Sequence, residues 1–287
     1  MEYAIKTKNI GLVSGPLSFI LVINFFHPEG LTLEANAILA STVWMAIWWI
    51  TEAIPISVTA LLPIILFSEN IPFQIGEILH YQASFAKVNA AVAQLKVVGL
   101  DTIENTPVYH VQFSAKTKGV MNYVFPIEDQ IDLWIDKKSL LPLRIHSKIK
   151  EGNFRKQDDI FIPKDSNYLV SNSDTLNINE PIHSPYSLFY YIRKSNFNVN
   201  KKHFVYTINS KKIRYLELQI NDSVNVNVPA GEFNCFEVTP ISFDNKKFQN
   251  NAEMSMLFSK DNYRYPVKIW LNLKYGSLIL ELDEITN

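Results

Sequence analysis

The six histidines are the side chains in this sequence best suited to binding a metal ion. They stand at positions 27, 80, 110, 146, 183 and 203 and form neither a His-x-His pair nor a His-Glu-x-x-His motif. Those motifs bring two ligands to one face of a strand or helix. The sequence therefore predicts no metal site built from neighbouring residues, while a site assembled from distant strands stays open.

Three aspartates, Asp129, Asp132 and Asp136, form the densest group of carboxylates. On a regular strand, side chains an odd number of positions apart face opposite sides. Asp132 and Asp136 therefore share a face, and Asp129 points to the other. We expect solvated carboxylates on the outer surface of a sheet, with calcium binding as the alternative.

Aromatic side chains are concentrated just before an arginine in the second half of the chain. The concave side of a curved sheet that displays aromatic rings is suited to a lipid or another amphipathic ligand. Ordinary core packing is the alternative for the same residues. They are Tyr186, Phe189, Tyr190 and Tyr191, which precede Arg193, together with Trp134 on the polar face of its own strand.

Other signals of chemistry are missing from the sequence. It has no Gly-x-Ser-x-Gly elbow, Walker loop or dinucleotide fingerprint, and only nine glycines. The single cysteine, Cys235, excludes an intrachain disulfide and a cysteine-based zinc site, and its phenylalanine neighbours indicate a buried thiol. The 27 basic and 28 acidic side chains give no footprint for nucleic acid. We expect no enzyme, no cofactor and no catalytic residue.

Strict alternation of apolar and polar residues begins after Gly76 and predicts short strands. Turn sequences separate the alternating runs, and one helix is predicted over Ser187 to Arg193. Many short strands in series favour an all-β domain, mainly antiparallel, built as a curved sheet or a sandwich. The predicted strands cover residues 109–115, 131–136, 143–148, 204–209, 213–220, 233–240, 254–258, 267–273 and 277–283.

The first 70 residues are of a different kind, because no lysine or arginine occurs between Lys8 and Lys87. Residues 10–26 are uncharged and close to the minimum length for crossing a bilayer, and large residues occupy the place where signal peptidase requires small ones.

Residues 35–67 are too long for one span, so Thr51, Glu52 and Pro55 predict a turn between spans at about 35–50 and 54–67. The alternative is one long helix kinked at Pro55. We expect Glu52 to lie at a helix end at the membrane surface, with an intramembrane ion site as the alternative.

The distribution of charge predicts which side of the membrane the β domain faces. Lys6 and Lys8 place the amino terminus in the cytoplasm, and the loop at residues 27–34 has two glutamates and no basic residue. With three spans the β domain faces the periplasm of a bacterial inner membrane, and with two spans it faces the cytoplasm.

A resemblance supports the membrane interpretation. The run Trp48–Pro63, WWITEAIPISVTALLP, together with Gly30–Thr32 and Ala40–Met45, resembles the amino-terminal region of the divalent anion:sodium symporter family. The similarity covers about residues 8–68. The resemblance implies a fragment of a transporter that carries dicarboxylates, citrate or sulfate. The family's substrate and sodium sites lie beyond its first three spans, so the fragment is expected to be inactive alone.

The remainder of the chain, about residues 72–285, resembles the uncharacterised bacterial family called domain of unknown function 3108 (DUF3108). This resemblance implies an exported or periplasmic β protein and brings no activity with it. The matching segments are Gly76–Glu77 with Tyr81, Asp129–Ile131, Asp136 with Leu140–Pro142, Glu151–Gly152, Tyr190–Arg193, Val228–Phe233, Ser259–Asp261, Tyr265–Lys268 and Gly276–Leu282.

Together these observations predict a transmembrane region, residues 1–70, and a DUF3108-like β domain, residues 71–287. The expected protein is held in the lipid bilayer through residues 10–67, and its β domain binds an amphipathic ligand or an envelope protein. One alternative is a transporter-related protein with an inactive symporter part. The other is a gene-fusion product without a joint function.

Overall fold

The computed structural model describes residues 2–26, 28, 31, 33–62, 71–86, 88–195, 197, 202–242, 253–273 and 276–287. The chain divides into two compact units, Met1–Asn70 and Ile71–Asn287. All described strands lie in the second unit. The predicted fold class, apolar helices followed by a mainly antiparallel β domain, is confirmed.

The first unit contains helices α1 (Glu2–Phe25), α2 (Leu33–Thr51) and α3 (Ile56–Thr59). By length and composition, Thr7–Phe25 is able to cross a membrane, whereas Ala35–Thr51 is a shorter apolar helix. The predicted span at 54–67 is represented by the four residues of α3, and residues 63–67 lie outside the described residues. The choice between two and three spans therefore stays a prediction.

Helices α1 and α2 pack closely because α1 carries glycines at their contact. A Cβ atom on Gly15 would lie 2.4 Å from Cδ1 of Trp44, and the indole nitrogen of Trp48 donates a 2.9 Å hydrogen bond to the carbonyl of Gly11. Small residues four positions apart allow such close approach between apolar helices. Glu52 lies exposed just after the end of α2, with its carboxylate 3.8 Å from Nζ of Lys8.

The described residues of the second unit form fifteen strands. The first eight are β1 (Ile78–Phe85), β2 (Val88–Ile103), β3 (Thr106–Thr117), β4 (Glu128–Asp136), β5 (Pro142–Glu151), β6 (Phe154–Phe161), β7 (Tyr168–Ser171) and β8 (Asp174–Asn177). The others are β9 (Ile182–His183), β10 (His203–Asn209), β11 (Lys212–Val228), β12 (Gly231–Ser242), β13 (Glu253–Ser259), β14 (Pro266–Leu273) and β15 (Gly276–Thr286). Two short helices, α4 (Met121–Val124) and α5 (Ser187–Lys194), complete it.

These strands form one continuous sheet in the order 8-7-6-5-4-3-2-1-15-14-13-12-11-10-9. Neighbouring strands are antiparallel except for the two-residue pairing of β9 with β10, which is parallel. Strands β1 to β8 therefore follow one another from the middle of the sheet to one end. Strands β9 to β15 follow one another from the other end back to the middle, where β15 pairs with β1. The short strands β8 and β9 are left at the two ends.

Helix α5 lies between the two halves of the sheet, where sequence patterning predicts a helix. Leu188, Phe189 and Ile192 belong to a core cluster formed mainly by β10–β15 with β1 and β2. Tyr190 belongs to a second cluster formed mainly by β3–β7, which also includes Ile208 of β10. Because residues from both ends of the sheet share the second cluster, the sheet is curled around the helix.

Candidate functional site

The two ends of the curled sheet meet through side chains rather than through backbone pairing. Lys211, in the turn between β10 and β11, forms an ion pair with Asp174 of β8. The hydroxyl of the neighbouring Ser210 donates a 2.8 Å hydrogen bond to the carboxylate of Asp158 on β6. Residues 178–181 connect the two end strands and pass beside this seam. The connection forms part of the walls of two adjacent hollows, called here the lysine lobe and the aromatic lobe.

The lysine lobe has a volume of about 550 Å³. Its walls come from the β4–β5 turn, the β6–β7 loop and the 178–182 segment, and they combine aliphatic surface with charged groups. Such a mixture suits a ligand that has an apolar body and a polar end. The aliphatic residues are Leu141, Pro142, Leu143, Ile162, Pro163, Ile178, Pro181 and Ile182, and the charged residues are Asp136, Lys138, Lys164, Asp165 and Glu180.

Asp136 sets the shape of the β4–β5 turn in the lysine lobe. Its carboxylate accepts hydrogen bonds from the backbone N–H groups of Lys138 and Ser139 at 3.0 and 2.7 Å, and from the Ser139 hydroxyl at 2.9 Å. These bonds hold the turn while Leu140 adopts a φ of 60°. Burial alone would raise the pKa of Asp136, but these donors and Lys164 outweigh it and the pKa is lowered.

The aromatic lobe has a volume of about 470 Å³ and shares Ser139, Leu141, Glu180 and Pro181 with the lysine lobe. Three of its rings form a stack across β10 and β11. The centroids of Phe204 and Tyr215 are 5.4 Å apart at an interplanar angle of 17°, and those of Tyr206 and Tyr215 are 4.7 Å apart at 31°. Tyr191 of α5 and His183 of β9 complete this lobe.

His183 is the buried polar residue of the aromatic lobe, with 5% of its surface exposed. Its ring packs against Tyr191 with centroids 4.6 Å apart, and Nδ1 lies 3.5 Å from the hydroxyl oxygen of Ser187. Burial lowers the pKa of His183 to about 4, so the imidazole is neutral near pH 7. A neutral imidazole offers one donor and one acceptor nitrogen.

The acidic group predicted from the sequence is divided between different environments. Asp129 shares the inward face of β4 with Ile131, whereas Asp132 lies on the outer face, as the strand spacing predicts. The expectation that Asp132 and Asp136 are solvated is wrong, because only 8% and 5% of their surfaces are exposed. Neighbouring polar side chains cover Asp132, and the β4–β5 turn covers Asp136.

Asp132 is the centre of a polar network on the outer face. Its carboxylate is 2.9 Å from Nε2 of His110 and accepts hydrogen bonds from the amides of Gln112 and Gln130 at 2.7 and 2.8 Å. Trp134 stacks on His110 with centroids 4.7 Å apart and planes 4° apart. Both carboxylate oxygens of Asp132 therefore accept hydrogen bonds from protein side chains, so the carboxylate is satisfied without a calcium ion.

The predicted aromatic residues separate into core and surface positions. Phe189 and Tyr190 are core residues, Tyr186 packs against the core, and Tyr191 reaches the aromatic lobe. Arg193 is wholly buried and forms a bidentate ion pair with Glu77 at 2.6 and 2.8 Å. Tyr191 also packs against the first core cluster, so core packing is correct for all four rings that precede Arg193. Phe204, Tyr206 and Tyr215 lack any sequence motif, although they alternate with core residues on their strands.

The remaining candidates for chemistry lie apart from one another. His80 contacts Gln94, His146 lies 4.0 Å from Asp159, and His203 packs on Phe197, while His27 is outside the described residues. Within the described ranges no three His, Cys, Asp or Glu side chains are grouped as metal ligands. Cys235 is fully buried, as predicted, and burial raises its pKa to about 11.

Comparison with known proteins separates the chain into two ancestries. A segment of 57 residues is 60% identical to the sodium-dependent dicarboxylate transporter SdcS of Staphylococcus aureus strain bovine RF122 / ET3-1 and 58% identical to SdcS of strain USA300. This segment is 20% of the chain and 11% of the transporter. The chain thus spans about a tenth of these relatives, which supports the resemblance to a symporter fragment.

The β domain has a counterpart among solved structures and among protein families. The crystal structure of a β-barrel-like protein of domain of unknown function 1849 from Brucella abortus matches with a TM-score of 0.50 at 11% identity, covering 74% of this chain and 97% of that one. This likeness concerns the fold alone. The model of the family described as protein of unknown function (DUF3108) matches residues 80–283, and the chain belongs to that family.

Proposed function

We propose that this protein is a non-enzymatic, membrane-anchored envelope protein whose β domain binds an amphipathic ligand in the lysine lobe. The observation that carries the proposal is a hollow of about 550 Å³ at the seam of the sheet, with aliphatic walls and charged groups. This volume lies within the range of about 300–1,000 Å³ that is usual for small-ligand sites.

The charges of the lysine lobe favour a ligand whose polar end carries both donors and acceptors. Lys164 lies 3.4 Å from Asp136, and Lys138, Asp165 and Glu180 line the same hollow. The wall carries both acidic and basic groups, so the lobe offers partners to a zwitterionic or polar head. The aliphatic residues Leu143, Ile162 and Ile178 offer burial to a hydrocarbon chain.

Membrane anchoring through α1 is part of the proposal. The segment Thr7–Phe25 is long and apolar enough to cross a bilayer, and its serines satisfy their hydroxyls within the helix. An anchored domain meets lipids at high local concentration, which fits an amphipathic ligand. We propose further that the anchor lies in a bacterial inner membrane and that the β domain faces the periplasm.

Photo-crosslinking tests the ligand. The full chain in phosphatidylethanolamine vesicles containing a diazirine-bearing palmitic acid should be labelled both in α1 and α2 and, separately, in peptides covering residues 136–143 and 162–182. Pro163→Glu places a charge in the lysine lobe and should remove the second labelling only. Phe154→Glu, at an exposed ring outside the lobe, is the control. Labelling confined to residues 2–62 would overturn the proposal, and capture of another envelope protein at the lobe would replace it with a protein partner.

Sidedness has its own test. A cysteine placed at Tyr123, which is 90% exposed, in a Cys235→Ser background should react with a membrane-impermeant maleimide in spheroplasts before lysis. Reaction only after lysis would place the β domain in the cytoplasm and favour an even number of spans.

A transporter-derived origin of the first unit is a second proposal, favoured by the 60% identity over 57 residues. We propose that this part is inactive in transport on its own. Sodium-dependent succinate uptake by cells expressing the chain alone would contradict it. Detection of one polypeptide of about 33 kDa in membranes, the mass of the chain, would exclude an artificial fusion.

A further inference from the structure

We propose that the aromatic lobe is a second subsite, and that it binds an uncharged sugar ring with His183 as the hydrogen-bonding group at its wall. The inference rests on the proposed function, because it assigns a chemical class to the part of the ligand that lies beside the lysine lobe. It depends on three features of the aromatic lobe: its volume, its rings and its buried imidazole.

The first feature is size and position. A hollow of about 470 Å³ accommodates a compact ligand of one or two rings, since small-ligand sites begin at about 300 Å³. Ser139, Leu141, Glu180 and Pro181 line both lobes, so the two lobes adjoin along these residues. A single molecule with an apolar part and a sugar part can therefore occupy both.

The second feature is the stack of Phe204, Tyr215 and Tyr206. Tyr215 contacts both of the other rings, and its plane is within 17° of that of Phe204, so the three rings form one continuous aromatic surface. Phe204 is the most accessible of the three, with 42% of its surface exposed. A sugar ring places a flat, apolar face of C–H groups on such a ring while its hydroxyls remain free for hydrogen bonds.

The third feature is His183, a polar side chain nine-tenths buried at a hollow. Within the described part of the chain, its Nδ1 has a long contact to Ser187 and no hydrogen bond is formed by Nε2. The neutral imidazole supplies no positive charge to hold an anion, and the nearby carboxylate of Glu180 disfavours one. Hydroxyl groups, which donate and accept, satisfy both His183 and Glu180.

Saturation-transfer NMR tests the inference, because it detects weak ligands and identifies the protons that touch protein rings. The probe is N,N′-diacetylchitobiose, added to the full chain in micelles of a zwitterionic detergent. A sugar-based detergent is avoided because its head group would compete with the probe. We expect saturation of aromatic protons to reach the sugar C–H groups of one ring face. Phe204→Ala should weaken the signal by about fivefold, the effect of losing one aromatic contact. Phe154→Ala, which removes a comparably exposed ring outside both lobes, should leave it unchanged.

His183→Gln is the second variant, because glutamine retains a donor and an acceptor but cannot reproduce the imidazole geometry. It should also weaken the sugar signal, and circular dichroism shows whether its fold is retained. If His183→Gln unfolds, Phe204→Ala still decides, since its ring is at the surface. An absent signal, or one that Phe204→Ala leaves unchanged, overturns the inference. So does a stronger, Phe204-dependent signal from choline or indole, which would assign a cation or a planar aromatic ligand instead.

The two proposals fail in distinguishable ways. Pro163→Glu alters the lysine lobe only, so it should abolish fatty-acid labelling of the lysine lobe and leave the sugar signal intact. Loss of the sugar signal with retained labelling refutes the sugar subsite alone. Sugar binding without any labelling of the lysine lobe refutes the amphipathic ligand and leaves a sugar-binding domain.

Discussion

The interior of the β domain and the outer face of its sheet both hold charged side chains, but in different ways. In the interior, Arg193 and Glu77 expose 1% and 2% of their side chains and bond directly to each other. On the outer face, Asp132 is held by His110 and by two neutral amides, and water reaches the edges of the network. The interior pair has replaced water completely, whereas the outer network has replaced it in part.

The contrast indicates that buried and surface hydrogen bonds do not contribute equally to stability. Arg193 also donates to the carbonyls of Pro72 and Tyr263 and lies over the rings of Phe73 and Tyr265 at 5.6 and 5.3 Å. A group removed from the interior leaves its partner charged and without water, which is far more costly than the same loss at a surface.

The largest expected effect is therefore that of Arg193→Met. It leaves the carboxylate of Glu77 buried and unpaired and should lower the free energy of unfolding by about 3–5 kcal/mol. Chemical denaturation of the full chain in micelles, followed by the far-ultraviolet signal of the strands, measures it. The double variant Glu77→Leu with Arg193→Met should recover much of the loss, because no buried charge remains. A loss below about 1 kcal/mol for Arg193→Met would contradict the contrast.

Asp132→Asn should have a smaller effect, a loss of about 1–3 kcal/mol near pH 7. Asparagine removes the negative charge to which three donors are directed. Its own NH₂ group then faces the NH₂ group of Gln112 or Gln130, so two donors oppose each other. Burial alone would raise the pKa of Asp132, but hydrogen bonds from Gln112, Gln130 and His110 prevail and the pKa is lowered. The stabilisation that comes with a lowered carboxyl pKa is fully present above the ordinary value near 3.8. It is lost as the pH falls through the lowered value. The difference between wild type and variant should therefore shrink below about pH 4.

Asp129→Asn should have the opposite sign and a smaller size. Burial raises the pKa of Asp129 to about 6, with the neighbouring Glu151 adding to the rise. The folded protein then holds a proton that the unfolded chain releases between about pH 4 and 6, so stability falls as the pH rises through this range. Asparagine cannot ionise, and it retains an acceptor for the N–H of Lys150. Above pH 6 the variant should be more stable than the wild type by about 1 kcal/mol, which is less than the full pKa shift implies because Asp129 is only partly buried. Below pH 4 this gain should vanish.

The opposite orientations of Asp129 and Asp132 were predictable, because they follow from the period of two along a strand. The same rule finds β3, β4, β5, β10 and β12–β15, where one face is apolar and the other polar. It misses β1 and β6, which lie outside the predicted runs, and β2, in which alanines and valines occupy both faces. It also misses the short end strands β7, β8 and β9, which have too few residues to alternate. It also ends β11 at residue 220, whereas the strand continues through an irregularity between Asn221 and Val224.

Neither lobe was predictable from the sequence. Their walls come from loops at 137–141, 162–167 and 178–182, which lie far apart in the chain and share no pattern. His183 was one of six separate histidines, and only the curl of the sheet brings it beside Tyr206 and Tyr215. A signal did exist for the helix contact, because Gly11 and Gly15 form the four-residue spacing of closely packed apolar helices.

Arg144→Lys should give the smallest effect, and it tests the outer face where solvent competes most. Arg144 forms a two-point ion pair with Asp159 at 2.8 and 3.1 Å, and its guanidinium lies 5.8 Å from the centroid of Trp134. Lysine retains the charge but loses the second hydrogen bond and the flat contact with the indole. Because both partners are nearly half-exposed, we expect a loss of only about 0.5–1 kcal/mol.

Salt dependence separates the two parts of that loss. The ion pair with Asp159 is screened as ionic strength rises, whereas the contact with Trp134 is less sensitive to salt. Denaturation of wild type, Arg144→Lys, Asp159→Asn and the double variant at low and high sodium chloride gives the coupling energy between Arg144 and Asp159 at each salt concentration. We expect that coupling to fall with salt. A coupling that is large and independent of salt would show that the outer face excludes water as the interior does, and the contrast between the two regions would fail there.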